Sequence, residues 1–388
     1  MRTYGIGFLA GSMLWVGSAV AQTAEPCIGA SLAVTGPAAF TAEAIRQGAE
    51  TAIDEINERG GVLGKKLRLV VYDDAGAPPR GIDNIRRIAQ SDNCIAVLGG
   101  FHTGVALAAR DLINQTGIPY VGVIAAGTAV TEFEGNKWLF RVSMKDRLAA
   151  KYLTDAALDR SASKKVALLY ENTGFGQGAV PDVKAALASK GLSLVGQETF
   201  NWNDADMTPQ LGRLKDAGAD AIILYSIDRE ANQIVRGLRK IGWSPVVVSA
   251  WGNSSSLGQL AGPLANGLIV AQTFSWLNDR TPQAEAVWKK IATRSNLKDP
   301  SELIFGSAVA NSYDALNIIA KGIELAGEFD RTKFRDALFK VKYDGLVQKY
   351  DPAFKDTLEG HDAIAASTYI LAVWQDGILT PLAKTSYK

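Results

Sequence analysis

The sequence predicts an α/β protein with two doubly wound parallel-sheet lobes, joined by a hinge that the chain crosses three times. Three observations carry this expectation. Short apolar, β-branched runs alternate with amphipathic helical stretches from Ile28 to Ile124. After 138–145 the alternation starts again and continues to Ser249. The remainder is mostly helical and offers no third domain. Continuous apolar strands separated by helices indicate parallel sheets covered on both faces.

In the first series, strands are expected at Ile28–Val34, Leu67–Tyr72, Ile95–Leu98 and Tyr120–Ile124. The helices between them are Ala42–Arg59, which Gly60-Gly61 closes, then Arg80–Ser91 and Gly104–Gln115. In the second series the strands are Val166–Tyr170, Leu194–Thr199, Ala221–Tyr225 and Val246–Ser249. The helices here are Gly178–Lys190, one that Thr208-Pro209 opens and Gly218 ends, and Glu230–Ile241. Beyond them, Gly267–Phe274 is extended, helices follow at Gln283–Arg294, Glu302–Ala326 and Thr332–Lys340, and Thr368–Trp374 is a last strand. These helices are expected to return to the first lobe and the last strand to the second. That assigns 22–142 and 274–344 to one lobe, and 143–273 and 345–388 to the other. A cleft above the hinge is the expected ligand site, because ligands of such sheets sit beyond the carboxyl ends of the strands.

The first 21 residues are expected to be an export signal that is cleaved. Arg2 gives a positive start, Tyr4–Val16 is apolar but shorter than a membrane span, and Ala19-Val20-Ala21 is a small-x-small cleavage pattern. Charged residues make up 21% of the chain and hydrophobic ones 47%, which suits a packed globule. Removing Arg2 takes the formal charge from +1 to 0, so nothing in the balance recruits nucleic acid or an anionic membrane. Two cysteines remain, Cys27 and Cys94, each just before an apolar run. If those runs are neighbouring parallel strands, their starting ends lie together and the thiols can bridge. Two separately buried thiols are the alternative.

Signals for catalysis are weak. Gly174-Phe175-Gly176-Gln177-Gly178-Ala179 matches a dinucleotide fingerprint, but Glu171, Asn172 and Thr173 separate it from its strand. It also lies outside the first strand–helix unit, and an exported compartment holds no dinucleotide pool. There is no G-x-S-x-G or H-E-x-x-H, and His102 and His361 are the only histidines. Asp73-Asp74 has no companion ligands at metal spacing and reads better as strand-end carboxylates that accept from loop amides. No enzyme, cofactor or metal site is expected.

The order of several short motifs resembles a known family. Thr35-Gly36-Pro37, Gly48-Ala49 and 57–64 (Asn-Glu-Arg-Gly-Gly-Val-Leu-Gly) look like the start of the leucine/isoleucine/valine-binding proteins, periplasmic receptors of ABC importers with the type I binding-protein fold. Tyr72-Asp73-Asp74, Gly117-Ile118-Pro119, Phe140-Arg141 and Gly174-Phe175-Gly176 continue the match in register across essentially the whole mature chain. The resemblance implies a periplasmic protein that closes around a small carboxylate-bearing ligand and delivers it to an inner-membrane ABC permease. A sensory receptor of the same fold is the alternative.

The resemblance also implies ligand contacts. Phe101, His102 and Thr103, with Ala125, Ala126, Gly127 and Thr128, fall where the family grips the ligand's carboxylate. Both segments join a strand end to a helix start, where amide groups and the helix dipole favour an anion. In the second lobe the family's aromatic contact lands on Phe175. Its acidic partner for an ammonium falls at or beside Trp251, which supplies an aromatic face and no charge. Asp228, after Ala221–Tyr225, is the candidate replacement. A hydrophobic or branched-chain amino acid is therefore the default ligand. An aromatic or aliphatic acid without an amino group is the alternative, and Phe40, Phe175, Trp251 and Trp202 would suit its flat ring.

Overall fold

Strand β1 (Cys27–Leu32) is buried at every position, as a strand covered on both faces must be. It belongs to the computed structural model, which describes residues 25–100, 102–278 and 280–382. The expected export signal and Phe101 lie outside the described residues. The chain then forms α1 (Phe40–Glu58), β2 (Arg68–Asp73), α2 (Pro78–Arg86), β3 (Ala96–Gly100), α3 (Thr103–Thr116), β4 (Tyr120–Gly122) and β5 (Leu139–Arg141). The five strands make one parallel sheet in the order β2-β1-β3-β4-β5.

Cys94 sits just before β3, which pairs directly with β1, and it is bonded to Cys27 with the two Cα atoms 4.7 Å apart. Closing a loop of this length stabilises by about 4 kcal/mol in the chain-entropy model.

The second series is α4 (Asp146–Arg160), β6 (Val166–Glu171), α5 (Gly174–Ala188), β7 (Gly196–Phe200), α6 (Thr208–Asp216), β8 (Ala221–Tyr225), α7 (Asp228–Lys240), β9 (Val246–Ser249), α8 (Ser256–Ala261) and β10 (Ile269–Gln272). Helices α9 (Pro282–Ser295), α10 (Gly306–Ala326) and α11 (Arg331–Leu338) follow, then the short pair β11 (Tyr343–Asp344) and β12 (Lys349–Tyr350). Strands β13 (Ile370–Gln375) and β14 (Ile378–Pro381) end the described chain. The second sheet runs β14-β13-β10-β9-β8-β6-β7, with β13 and β14 antiparallel at one edge. The expected single last strand is thus a hairpin.

Helix α10 shows why the late helices return to the first sheet. Residues Ser307–Ala320 are buried around its whole circumference, so it cannot lie on a surface. It packs on α1, where Gly48 lets the backbones meet: a Cβ there would stand 2.1 Å from the Val309 carbonyl oxygen. Tyr313 also donates to Glu55 at 2.6 Å. The chain passes between the sheets after β5, after β10 and again before β13.

Two expected boundaries move for local reasons. Helix α5 starts at Gly174 instead of Gly178, because the Thr173 hydroxyl accepts from the Phe175 amide and caps it. Helix α10 starts at Gly306, after a separate turn at Pro300–Glu302 that Asp299 caps.

Candidate functional site

A small cavity lies between the two sheets. Apart from Phe305, every segment that lines it follows the carboxyl end of a strand. Phe40 and Thr41 come after β1, His102 and Thr103 after β3, and Ile124 and Ala126 after β4. Phe175 comes after β6, Ile227 after β8, and Trp251 and Gly252 after β9. The topology therefore delivers residues far apart in sequence to one space, as expected for sheets of this winding.

Most of the wall is apolar and aromatic. The Trp251 and Phe305 rings lie 5.5 Å apart, and Phe305 meets Phe40 at 5.9 Å. Across from them, Phe175 packs on Tyr225 at 5.1 Å and on the edge of His102 at 5.9 Å. Among the described residues that line the cavity, none carries a carboxylate.

The polar corner is in the first lobe. Thr103 opens the 14-residue helix α3, so its own amide and that of Gly104 have no acceptor within the helix. Thr103 Oγ1 accepts from the Gly127 amide at 3.3 Å, which joins the β3 and β4 loops. The carbonyls of Ala125, Ala126 and Gly127 all turn away to one buried guanidinium, that of Arg141, at 3.1, 2.7 and 2.9 Å. A trans peptide points its N–H opposite to its C=O. The amides of Ala126, Gly127 and Thr128 therefore point away from Arg141, toward the side where Thr103 and Ala126 line the cavity.

Of the residues expected from sequence, the structure brings Phe40, His102, Thr103, Ala126, Phe175 and Trp251 to the cavity. Ala125 is buried behind the wall, and Phe101 lies outside the described residues. The Thr128 hydroxyl donates to Asp182 of α5 at 2.7 Å and accepts from the Arg147 amide at 3.0 Å. Its side chain thus ties one lobe to the other. Asp228 is turned toward the loop after β9 and is absent from the cavity wall. Its carboxylate accepts from the Ser254 amide at 2.7 Å and from the Ser254 and Ser256 hydroxyls. Burial pushes its carboxyl up to about 6, against the pull of those donors.

Sequence reasoning missed Phe305 and Glu171. Phe305 arrives from the third part of the chain, ahead of α10, and no local pattern connects it to the strand-end loops. Glu171 ends β6 and is fully buried. Its Oε1 lies 2.9 Å from His102 Nε2, and its Oε2 accepts from Trp202 Nε1 at 3.0 Å. The Trp202 ring meets His102 at 5.0 Å, so it flanks the site from outside the wall.

The glycines that imitate a dinucleotide fingerprint have other work. A Cβ on Gly176 would stand 2.2 Å from the Glu171 carbonyl oxygen, and one on Gly174 would stand 2.8 Å from Gly104 Cα. The first lets α5 fold close under its strand. The second lets the starts of α3 and α5 touch across the two lobes. Asp73 and Asp74 accept from loop groups, including the Thr35, Ala75 and Gly76 amides at 3.1, 2.9 and 2.8 Å.

Comparison with known proteins agrees with this architecture. The periplasmic binding protein family matches residues 27–377. A leucine/isoleucine/valine-binding protein homologue of Brucella melitensis is 29% identical over 370 residues, covering 95% of this chain and 96% of the relative. The crystal structure of a type 1 periplasmic binding protein from Bordetella pertussis superposes with a TM-score of 0.83 at 25% identity, covering 92% of this chain and all of the other. A Rhodopseudomonas palustris ABC-transporter solute-binding protein, solved with 4-hydroxybenzoate, shares the fold at a TM-score of 0.77 and 19% identity, covering 92% and 95% of the two chains.

Proposed function

Since the chain belongs to the periplasmic binding protein family, we propose that it is the solute receptor of an ABC importer and captures a small carboxylic acid without an amino group. The observation that carries the ligand class is the cavity wall. Phe40, Phe175, Trp251 and Phe305 surround the space, and no carboxylate among the described lining residues answers an ammonium. A buried ammonium without a charge partner is costly. Asp228 is already engaged with Ser254 and Ser256, which weakens it as that partner.

The carboxylate would sit at the Thr103 end, on the first amides of α3 and those of Ala126 and Thr128. The ring or alkyl body would then lie against Phe175 and Trp251. Closure would bring the lobe made of 22–142 and 274–344 onto the one made of 143–273 and 345–388. The His102–Glu171, Thr128–Asp182 and Gly104–Gly174 contacts would then be the seal between them. A ligand shifts such an equilibrium only by preferring one state. The closed form is therefore the one that a membrane permease would recognise. In this reading the first 21 residues direct export to the periplasm and are removed.

A second reading is favoured by one observation, the name of the Brucella relative: a branched-chain or hydrophobic amino acid is the ligand. A thermal-shift series on the mature protein separates the two. Ligand at about a thousand times its dissociation constant stabilises by roughly 4 kcal/mol. Stabilisation by aromatic or aliphatic acids, and none by leucine, isoleucine, valine or phenylalanine, is the expected pattern. The reverse pattern overturns the ligand class and leaves the receptor function standing.

A further inference from the structure

Behind the 125–127 segment, on the side away from the cavity, stands a buried residue that does not line it. Arg141 ends β5, is 0% exposed, and spends one amino group on three successive backbone carbonyls. Its second amino group donates to Thr131 Oγ1 at 2.7 Å, and its Nε donates to Asp362 Oδ1 at 2.6 Å. Each nitrogen of the guanidinium is thus engaged. Asp362 lies on the stretch that returns toward the second sheet, where Ala363 donates its amide to the Arg141 carbonyl at 2.9 Å. Asp362 Oδ2 also takes Lys145 Nζ at 2.8 Å. Burial alone would raise the Asp362 carboxyl, but Arg141 and Lys145 hold it below its ordinary value. It is an anion fixed in place.

We propose that Arg141 is the positioning residue of the carboxylate cradle, holding the Ala125, Ala126 and Gly127 carbonyls so that the Ala126 and Thr128 amides face the ligand while the Gly127 amide holds Thr103 Oγ1. This rests on the carboxylate reading above, but not on which carbon skeleton the acid carries. The Ala126 and Gly127 carbonyls also accept from the Asp146 and Val130 amides at 2.8 and 3.0 Å, but only Arg141 draws all three carbonyls to one point. A guanidinium offers a planar set of donors that gathers them, and an ammonium does not. The oriented amides then form a fixed concavity of partial positive charge that needs no rearrangement when an anion arrives. Asp362 and Thr131 fix the guanidinium in turn, so the cradle's geometry is set by the hinge crossings as well as by its own loop.

The test is discrimination between an acid and its neutral amide, measured by calorimetry on the mature protein. The pairs are 4-hydroxybenzoate with 4-hydroxybenzamide, phenylacetate with phenylacetamide, and leucine with leucinamide. Arg141→Lys is expected to lower the acid-to-amide affinity ratio of the best-bound pair by tenfold or more, while affinity for the amide changes little. Thr131→Val keeps the arginine and frees one amino group. It is expected to lower the ratio by a smaller factor, and it serves as the test if Arg141→Lys does not fold. A folded variant that retains the wild-type ratio overturns the inference alone. A wild-type protein that prefers no acid over its amide overturns the carboxylate reading, and the inference with it.

Discussion

Two buried regions meet where the lobes meet, and they are built from opposite materials. The cavity is walled by rings and aliphatic groups, and none of its described lining residues carries a carboxylate. Beside it, at the hinge, Arg141, Lys145, Asp362 and Glu132 form a nearly dry ionic cluster, with Lys145 Nζ 2.7 Å from Glu132 and 2.8 Å from Asp362. Charge is concentrated in the hinge cluster, and carboxylates are absent from the described cavity wall. On the proposed reading, an anion entering the cavity meets the Ala126 and Thr128 amides and no carboxylate among the described lining residues. The ionic cluster reaches the ligand only through the backbone it holds.

The sharpest way to break this contrast is to remove the hinge anion. Asp362→Ala leaves Arg141 and Lys145 buried with one partner fewer, and breaking such a pair costs about 3–5 kcal/mol. Urea unfolding should show that loss; a change below about 1 kcal/mol contradicts the role given to the cluster.

Next comes the carboxylate at the junction of the two regions. Asp146 opens α4, is 0% exposed, and neither of its carboxylate oxygens has a hydrogen-bond partner among the described residues. Burial pushes its carboxyl up to about 8, against the pull of Arg141. The folded protein keeps this proton, whereas an ordinary Asp in the unfolded chain releases it near pH 4. The stability from this group is complete below about pH 4 and is lost as pH rises toward 8, by up to about 1.4 kcal/mol per pH unit. Asp146→Asn should flatten that descent between pH 5 and 8, and an unchanged pH profile of unfolding contradicts the assignment.

A smaller effect tests closure directly. A Cβ on Gly174 would stand 2.8 Å from Gly104 Cα of the other lobe, so Gly174→Ala should oppose closure. Ligand affinity should fall about tenfold, or about 1.4 kcal/mol, and small-angle scattering should show a wider liganded form. Equal scattering profiles with full affinity would remove that contact from the seal.

The smallest expected effect is at Asp228. Its bonds to Ser254 and Ser256 give Asp228→Asn a cost in stability, but the ratio of affinities for an acid and its amino-acid counterpart should stay within about threefold. A selective loss for the amino acid restores Asp228 as an ammonium partner.

How much was legible in the sequence follows from how local each signal is. Strands such as Ala221–Tyr225 and Val246–Ser249 were readable to the residue, because a fully buried strand is an unbroken apolar run between turns. Helix α4 was missed. It is buried on several sides and rich in alanine, so its apolar positions give little contrast at helical period. Strand β5, only three residues long, was passed over within the segment that carries Arg141. The loops that bring Thr103 and Ala126 to the cavity were legible because a strand end followed by a helix start is a local signal. The roles of Phe305, Glu171 and Arg141 were not, since each depends on partners that only the folded chain brings near. Asp228 shows the reverse case: a carboxylate at a plausible loop position whose direction is decided by Ser254 and Ser256 on a neighbouring loop.

On the proposed reading the cavity accepts a carboxylate and offers no partner for an ammonium among its described lining residues. Calorimetric titration of 3-phenylpropanoate against phenylalanine, and of 4-methylpentanoate against leucine, isolates that one group on a constant skeleton. The deaminated acid of the better-bound pair should bind at least about tenfold tighter, a difference of about 1.4 kcal/mol. Tighter binding of the amino acid in both pairs would contradict the account.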